Sequence, residues 1–306
     1  MISNAHGWGD YAGHSPVREH GGVIDLHMHS VLSDGSDEPE VLADLAASVG
    51  CSTIALTDHD RLDGIERVRA HAATVGVTVI GGCELSCAAS YDVAGVRPVL
   101  HILVYFVEPG EGALQDELVR QMAFRRDRNE RLVERLRGLG IDVTFDELVT
   151  AAGKVDGIGR PHVAQVLVTK GVVSTTQEAF DVWLAKGKPG YVEREEMTAD
   201  VALRLAKDSG GVAVIAHPFS LGLAGESFTN ALTELRELGL AGMECIYGRY
   251  STEERHALAQ TAQRLALVAT GGSDYHGTYK PDLRVGVGRG DLRVPESVIA
   301  ELAARR

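Results

Sequence analysis

Residues 23–36 read VIDLHMHSVLSDGS, and residues 52–60 read STIALTDHD. In the first, His27 and His29 stand two apart. On a strand that spacing puts both imidazoles on one face, because side chains alternate with period two. Val23, Ile24 and Leu26 supply a β-prone lead-in, and the turn Ser33-Asp34-Gly35-Ser36 offers a carboxylate just past the strand end. In the second, the run Ile54-Ala55-Leu56 delivers Asp58 and His59 to the same end of a neighbouring strand. Either motif alone occurs by chance. Both together, each closing an apolar run and separated by one helix length, gather the imidazole and carboxylate donors that a divalent-metal site requires.

Outward from this pair the pattern alternates. Residues 38–49 form a helix with Pro39 at its start and Gly50 at its stop. A strand at 53–57 and a helix at 62–75, ended by Gly76, follow. A third strand at 77–81 leads into Cys83-Glu84-Leu85-Ser86. This β-α-β-α-β order predicts a parallel sheet with right-handed crossovers. Next, 85–93 and 99–107 flank the turn-prone 94–98 as a hairpin. Its second arm carries His101 within PVLHILVYF, where a histidine is either a hydrogen-bonded core residue or a ligand.

Between 112 and 190 strand signals fade and helical patterns crowd together, which reads as a helical insertion. Its first helix, 113–139, aligns Leu114, Leu118, Met122, Arg125, Asn129, Leu132 and Leu136 on one face. Arg125 and Asn129 interrupt that stripe. Either the stripe drifts to solvent there, with the arginine lying along the core, or a polar window faces a ligand. Thr144-x-x-Glu147 and Thr175-x-x-Glu178 are capping boxes. Between them, Gly157-Ile158-Gly159-Arg160-Pro161-His162 places a guanidinium and an imidazole at a helix start, a pattern that suits an anion or simply marks a surface helix. The α/β rhythm resumes after Thr198. Strand 212–216 ends in His217-Pro218, strand 242–247 follows a helix, and strand 266–270 ends in Gly271-Gly272-Ser273-Asp274-Tyr275-His276-Gly277. Ligands of α/β sheets and barrels bind at such carboxyl ends. His71 and His256 lie in polar helical stretches and receive no role.

The chain has 306 residues, 44% of them hydrophobic, enough for a sizeable core. No apolar run approaches the ~18 residues of a membrane span. Residues 1–22 lack the apolar core of a signal peptide and read as a mobile tail. Cys51, Cys83, Cys87 and Cys245 are scattered without a disulfide framework, so reduced thiols and a cytoplasmic protein are expected. The net charge of −13 argues against an extended nucleic-acid surface. It leaves room for a small anionic substrate, since bound divalent ions offset local charge.

The set DLHMHS with Asp34, LTDHD, ELS, the hairpin His101, AHP and GSDYH resembles the PHP (polymerase and histidinol phosphatase) family, over nearly the whole chain. The resemblance implies a distorted (β/α)7 barrel from 23–111 and 191–306, with the helical insertion 112–190 contributing substrate contacts. It implies three divalent metals. His27, His29, Glu84 and Asp274 hold the first. Asp34, His59 and His276 hold the second. His101 and His217, with Glu84 bridging, hold the third. Asp58 and Asp60 resemble outer partners that orient imidazoles. GRPH is similar to small phosphoesterases that cleave nucleoside 3′,5′-bisphosphates and trim short RNA from its 5′ end. In that likeness Arg160 and His162 contact phosphate and substrate, together with Arg125, Arg128 and Asn129. Pro161 stands where many members carry threonine. The expected chemistry is phosphate-ester hydrolysis by metal-activated water, with no certain protein general base. Mn²⁺ is the expected ion, with Fe²⁺ or Zn²⁺ as alternatives. The expected partner is a small phosphorylated nucleotide or short oligoribonucleotide. The sequence assigns no oligomeric state. The rival readings are a histidinol-phosphate phosphatase and a non-catalytic, metal-stabilised module.

Overall fold

A computed structural model describes residues 23–306 except 90, 92–97, 154–157 and 194–195. The expected tail at 1–22, most of the hairpin turn at 94–98, and Gly157 lie outside the described residues.

Among the described residues, eight strands build one mixed sheet. They are β1 (Val23–Asp25), β2 (Cys51–Leu56), β3 (Thr78–Ala88), β4 (Val99–Tyr105), β5 (Met197–Thr198), β6 (Val212–Ile215), β7 (Gly242–Tyr247) and β8 (Val268–Gly272). Seven of them run in the order β1-β2-β3-β4-β6-β7-β8, and β5 adds to the far end of β3. The first and last strands then meet. Leu26 N donates to Gly271 O at 3.3 Å, Asp274 N to His27 O at 2.8 Å and His29 N to Tyr275 O at 2.9 Å. The result is a nearly closed seven-strand barrel.

Alternation divides its strands into two faces. Ile102 and Val104 of β4 join one apolar cluster, while Leu103 and Tyr105 join another with Ile24, Leu26, Val212 and Val214. The Tyr105 hydroxyl donates to Leu26 O at 2.9 Å. Because β4 and β1 are not neighbours, this bond crosses the barrel, so the second cluster fills the interior. Burying one such large side chain stabilises the fold by about 1.5–3 kcal/mol.

Helices α1 (Pro39–Ser48) and α2 (Ile65–Val75) connect β1 to β3 on the outside. Between β4 and β5 come α3 (Ala113–Gly138), α4 (Phe145–Ala152), α5 (Arg160–Thr169), α6 (Thr176–Ala179) and a π-helical turn (Phe180–Leu184). From Leu132 to Leu184 these share an apolar cluster of their own. Helices α7 (Ala199–Asp208), α8 (Gly225–Glu237), α9 (Thr252–Arg264) and α10 (Ser297–Ala303) complete the shell. The Thr144–Glu147 capping box is present in both directions. Among the described residues no helix is long and apolar enough to cross a membrane.

The first three strands pair in parallel and β4 folds back antiparallel on β3, as the expected βαβαβ start and hairpin require, and β4 also pairs antiparallel with β6. Two expectations change. The third strand and the first hairpin arm are one continuous strand. Gly81 and Gly82 read as a break but sit mid-strand, where a Cβ on Gly81 would lie 2.3 Å from Val107 O. Finally, β1 stops at Asp25, and beyond it only Met28 bridges to Tyr275. The backbone is therefore irregular where His27 and His29 turn inward.

Candidate metal centre

The interior of the barrel is apolar at one end and ionisable at the other. His27 and His29 follow β1, His59 follows β2, Glu84 lies on β3, His101 on β4, His217 follows β6, and Asp274 and His276 follow β8. The fold brings all nine residues expected from the sequence together, including Asp34 from the first turn. Within each of four overlapping groups, donor atoms lie inside 4.8 Å of one another. The groups are His29-Asp34-His59-His276, His27-His29-Asp274, His27-Glu84-His217 and His59-Glu84-His101.

Glu84 is the shared centre. Its Oε1 faces His101 Nδ1 at 2.8 Å and His217 Nε2 at 3.0 Å. Its Oε2 faces His27 Nε2 at 3.1 Å, His29 Nε2 at 3.0 Å and His59 Nδ1 at 3.4 Å. Asp34 reaches His276 Nε2 at 3.3 Å and His59 Nε2 at 3.7 Å. Backbone conformation is spent on this aim. His217, Asp274 and Asp60 have φ of +28°, +55° and +54°, in the region that β-carbon-bearing residues avoid. Each such position costs about 1–3 kcal/mol and persists only where its surroundings hold it.

Burial opposes charge on each of these groups, yet the carboxylates stay ionised. Glu84, Asp34 and Asp274 sit well below the usual carboxylate range, drawn down by the surrounding imidazoles and, at Asp274, by Lys280. His27 is pushed up against its burial by Glu244, Glu84 and Asp274. His29 rises to about 9, because hydrogen bonds to Asp274 and Glu84 overcome burial. His59 falls to about 3 through burial, with His29 and His101 adding to it. His276 is lowered by burial, His29 and Lys280. The cluster thus concentrates negative charge that protons on two imidazoles meet only in part.

Three features fit divalent cations there. His59 Nδ1 is buried without a hydrogen-bond partner. His27 and His29 point their Nε2 atoms at each other across 3.1 Å. The donors are nitrogen and oxygen only, while the four cysteines are free, buried thiols.

Sequence reasoning missed the residues that hold these donors. Glu244, fully buried on β7, accepts from His27 Nδ1 at 2.9 Å and from His217 N at 2.7 Å. Asp25 accepts from the main-chain N–H groups of His27, Ser273 and Gly286. Tyr247 and Lys280 donate to Asp274 Oδ2 at 2.7 and 2.5 Å, leaving Oδ1 toward the histidines. The detectable signal was an acid inside the apolar run Gly-Met-Glu-Cys-Ile-Tyr. Asp58 reaches an imidazole only through a hydroxyl. It accepts from Ser30 N, Ser30 Oγ and Ser33 Oγ at 2.6–2.7 Å, which braces the turn before Asp34, and Ser33 Oγ lies 3.4 Å from His29 Nδ1. Asp60 takes Ser86 N at 3.0 Å and Arg125 at 2.5 Å, tying α3 to the barrel. His71 pairs with Asp44, and His256 with Gln260, both on the surface.

A cavity of about 380 Å³ opens from the cluster. Asp34, His59 and His101 form one end, and Arg125, Arg128, Arg160 and Lys186 line the side contributed by the helical segment. The interrupted stripe of α3 is thus a polar window. Two residues expected as substrate contacts, Asn129 and His162, do not line this cavity. Asn129 is buried, accepting from Arg128 at 2.8 Å and donating to Ile158 O at 2.8 Å. His162 is 2% exposed, accepts from Gly159 N through Nδ1 at 3.0 Å and packs edge-on against Tyr279. It therefore braces the helix start against the barrel.

The PHP domain family model matches residues 25–192, more than half of the chain. The chain is 33% identical over 253 residues to a 3′,5′-nucleoside bisphosphate phosphatase of Chromobacterium violaceum, covering 83% of this chain and 87% of that one. It is 31% identical over 253 residues to a 5′-3′ exoribonuclease of Haemophilus influenzae, covering 82% and 89%. It is 32% identical over 259 residues to a phosphoribosyl 1,2-cyclic phosphate 1,2-diphosphodiesterase of Eggerthella lenta, covering 84% and 95%. The crystal structure of a putative metal-dependent phosphoesterase from Bifidobacterium adolescentis superposes with a TM-score of 0.79 at 27% identity, over 92% of this chain and 96% of that one. With the barrel, the histidine–carboxylate cluster and these likenesses in agreement, the chain belongs to the PHP family of metal-dependent phosphoesterases.

Proposed function

We propose that the protein hydrolyses a phosphate ester of a small nucleotide that carries a second phosphate, such as adenosine 3′,5′-bisphosphate (pAp) or the 5′-phosphorylated end of a short RNA. The observation that carries this reading is the cavity itself. It places an ionisable cluster suited to cations at one end and four cationic side chains along its wall. A molecule with two phosphates in one small frame matches both. The named activities of the Chromobacterium and Haemophilus relatives support it.

We assign His27, His29, Glu84 and Asp274 to a first ion, Asp34, His59 and His276 to a second, and His101 and His217 with Glu84 to a third. The mixed imidazole and carboxylate donors suit Mn²⁺, Fe²⁺ or Zn²⁺, and the family likeness favours manganese among them. Ions held there supply hydroxide near neutral pH and neutralise phosphoryl oxygens. The chain's own residues do the positioning. Glu244 fixes His27 with its Nε2 toward the cluster. Tyr247 and Lys280 restrict Asp274 to one oxygen. Arg128, buried and set by Asn129, and Arg160 at the start of α5 bind the second phosphate in a fixed fork, and Arg125 reaches the same cavity from its anchor on Asp60. Histidinol phosphate suits this wall poorly, because its ammonium would face arginines.

The test is manganese-loaded protein with pAp, a 5′-phosphorylated trinucleotide, histidinol phosphate and a phosphoribosyl 1,2-cyclic phosphate at equal concentration. Phosphate release from pAp or mononucleotide release from the trinucleotide, fastest of the four, is expected. Preferential turnover of the cyclic phosphate would move the substrate to the class named for the Eggerthella relative, and no turnover at all would support a structural metal module.

A further inference from the structure

The arginines of α3 do not end at the cavity. Arg125, Arg128, Arg131 and Arg135 recur at spacings of 3, 3 and 4 along the helix. At the 1.5 Å rise of a helix this row advances about 15 Å. Its first two members line the cavity at the histidine cluster, and its last two line an adjoining groove of about 420 Å³. Tyr191 and Val192 line both, so they form a common rim. Lys188 adds a third cation to the groove, and Glu193 is its acid.

Two of the three cations of the groove, Arg135 and Lys188, are held in ways that leave charge for a ligand, while Arg131 shares its charge with Asp127. Arg135 donates to the main-chain carbonyl of Pro189, which fixes the guanidinium without neutralising it. Arg131 donates to Glu193 O at 3.3 Å and pairs with Asp127 at 2.8 Å. Lys188 is exposed on the rim of the groove. On a chain of net charge −13, this is a local reversal of sign laid out along a line.

We propose that the groove receives the continuation of a 5′-phosphate, so that nucleoside 3′-phosphates bearing a 5′-di- or triphosphate are within the substrate class. The proposal rests on reading the first cavity as a bisphosphate site, with the ester to be cleaved at the histidines and the 5′-phosphate at Arg128 and Arg160. In that orientation a 3′ continuation leaves from the histidine end. Only groups attached beyond the 5′-phosphate pass Tyr191 and meet Arg131, Arg135 and Lys188. A linear run of phosphates offers successive anionic oxygens to a linear run of cations, each contact charge-assisted.

The test compares pAp with adenosine 5′-triphosphate 3′-phosphate as substrates of the wild type, Lys188→Glu and Arg135→Gln. The wild type is expected to show a KM about fivefold lower for the triphosphate, with a steeper loss on adding salt. Arg135→Gln should raise that KM about threefold and the charge-reversing Lys188→Glu about tenfold, while kcat, and the KM for pAp, stay within about twofold. Lys188→Glu alters an exposed side chain and keeps the test independent of folding. Equal KM values for the two substrates in the wild type, or equal changes for both in the variants, would overturn the proposal. If pAp is not turned over, the bisphosphate reading fails on its own. The groove is then judged by calorimetric binding of ATP and AMP to chelator-treated protein, where equal affinities unmoved by Lys188→Glu would sink it.

Discussion

Glu244→Gln is the most discriminating perturbation of the cluster, because it changes one atom and touches no proposed ligand position. Both carboxylate oxygens of Glu244 are acceptors, one for His27 Nδ1 at 2.9 Å and one for His217 N at 2.7 Å. A carboxylate offers two acceptors, whereas an amide offers one acceptor and one donor group. Whichever way the glutamine turns, its NH₂ opposes an N–H. Facing His217, it strands a buried main-chain donor, which costs about 1–3 kcal/mol. Facing His27, it favours the tautomer protonated on Nε2, the atom that looks at Glu84 and Asp274, and removes that nitrogen from ligation. Outer partners of this kind are typically worth 10- to 100-fold in metal affinity. The variant is therefore expected to bind manganese about 10- to 100-fold more weakly in a calorimetric titration, with a Tm lowered by a few degrees in differential scanning calorimetry. A lowered Tm with unchanged manganese affinity and stoichiometry would make Glu244 a fold residue only. If neither quantity moved, the orientation argument would be wrong altogether.

Two further outcomes follow from the same geometry. A Cβ on Gly272 would lie 2.4 Å from His27 Cβ and 2.5 Å from His27 N, so Gly272→Ala should force the seam between β1 and β8 apart at a cost of about 1–3 kcal/mol or more. Urea denaturation with wild-type stability and full metal content would show that the seam tolerates the methyl group. Cation binding should also release protons. In chelator-treated protein His29 titrates at about 9 and His27 is raised, so both hold protons at pH 7, whereas ligation requires neutral imidazoles. His59 at about 3 and His276, lowered, contribute none. Apparent affinity should thus rise with pH until His29 is neutral. Manganese titrations in buffers of different ionisation enthalpy should report about one to two protons released at pH 7, and a value of zero would refute this assignment.

How legible the molecule was depended on whether the information was local. His27 and His29 declare themselves by period-two spacing after an apolar lead-in, and His59, His217 and His276 by closing strands. Their convergence needs only the rule that the ends of strands in one barrel share a rim. Glu84 and His101 lie inside apolar strands, where periodicity does not separate a ligand from a satisfied core residue, and the family likeness decided them. Glu244 has the same disguise and was missed. On its strand Met243 and Cys245 face the outer apolar cluster, so Glu244 necessarily points inward, and an inward acid in a barrel needs donors. That argument was open to sequence reasoning once β7 was placed. The merging of β3 with the hairpin arm was not. Gly81 and Gly82 serve the close approach of Val107 and Val104 carbonyls, a contact with residues more than twenty positions away.

The substrate side of the site shows where composition misleads. A net charge of −13 speaks against anionic ligands only if charge is spread evenly. Here acids gather where cations can offset them, and arginines gather on one row of α3 opposite. The sum says little about either place. The distance between the two decides what fits, because an arginine row about 15 Å long exceeds what one phosphate can occupy. The heptad-like arithmetic of that row was present in the sequence, yet its meaning required knowing which residues turn toward the barrel. Arg128, 7% exposed, and Arg160 line the cavity, while His162, from the more conspicuous motif, is turned away into the seam with Tyr279. The proposed recognition of a second phosphate would therefore rest on guanidinium groups whose only advertisement in the sequence is an interruption of an apolar stripe.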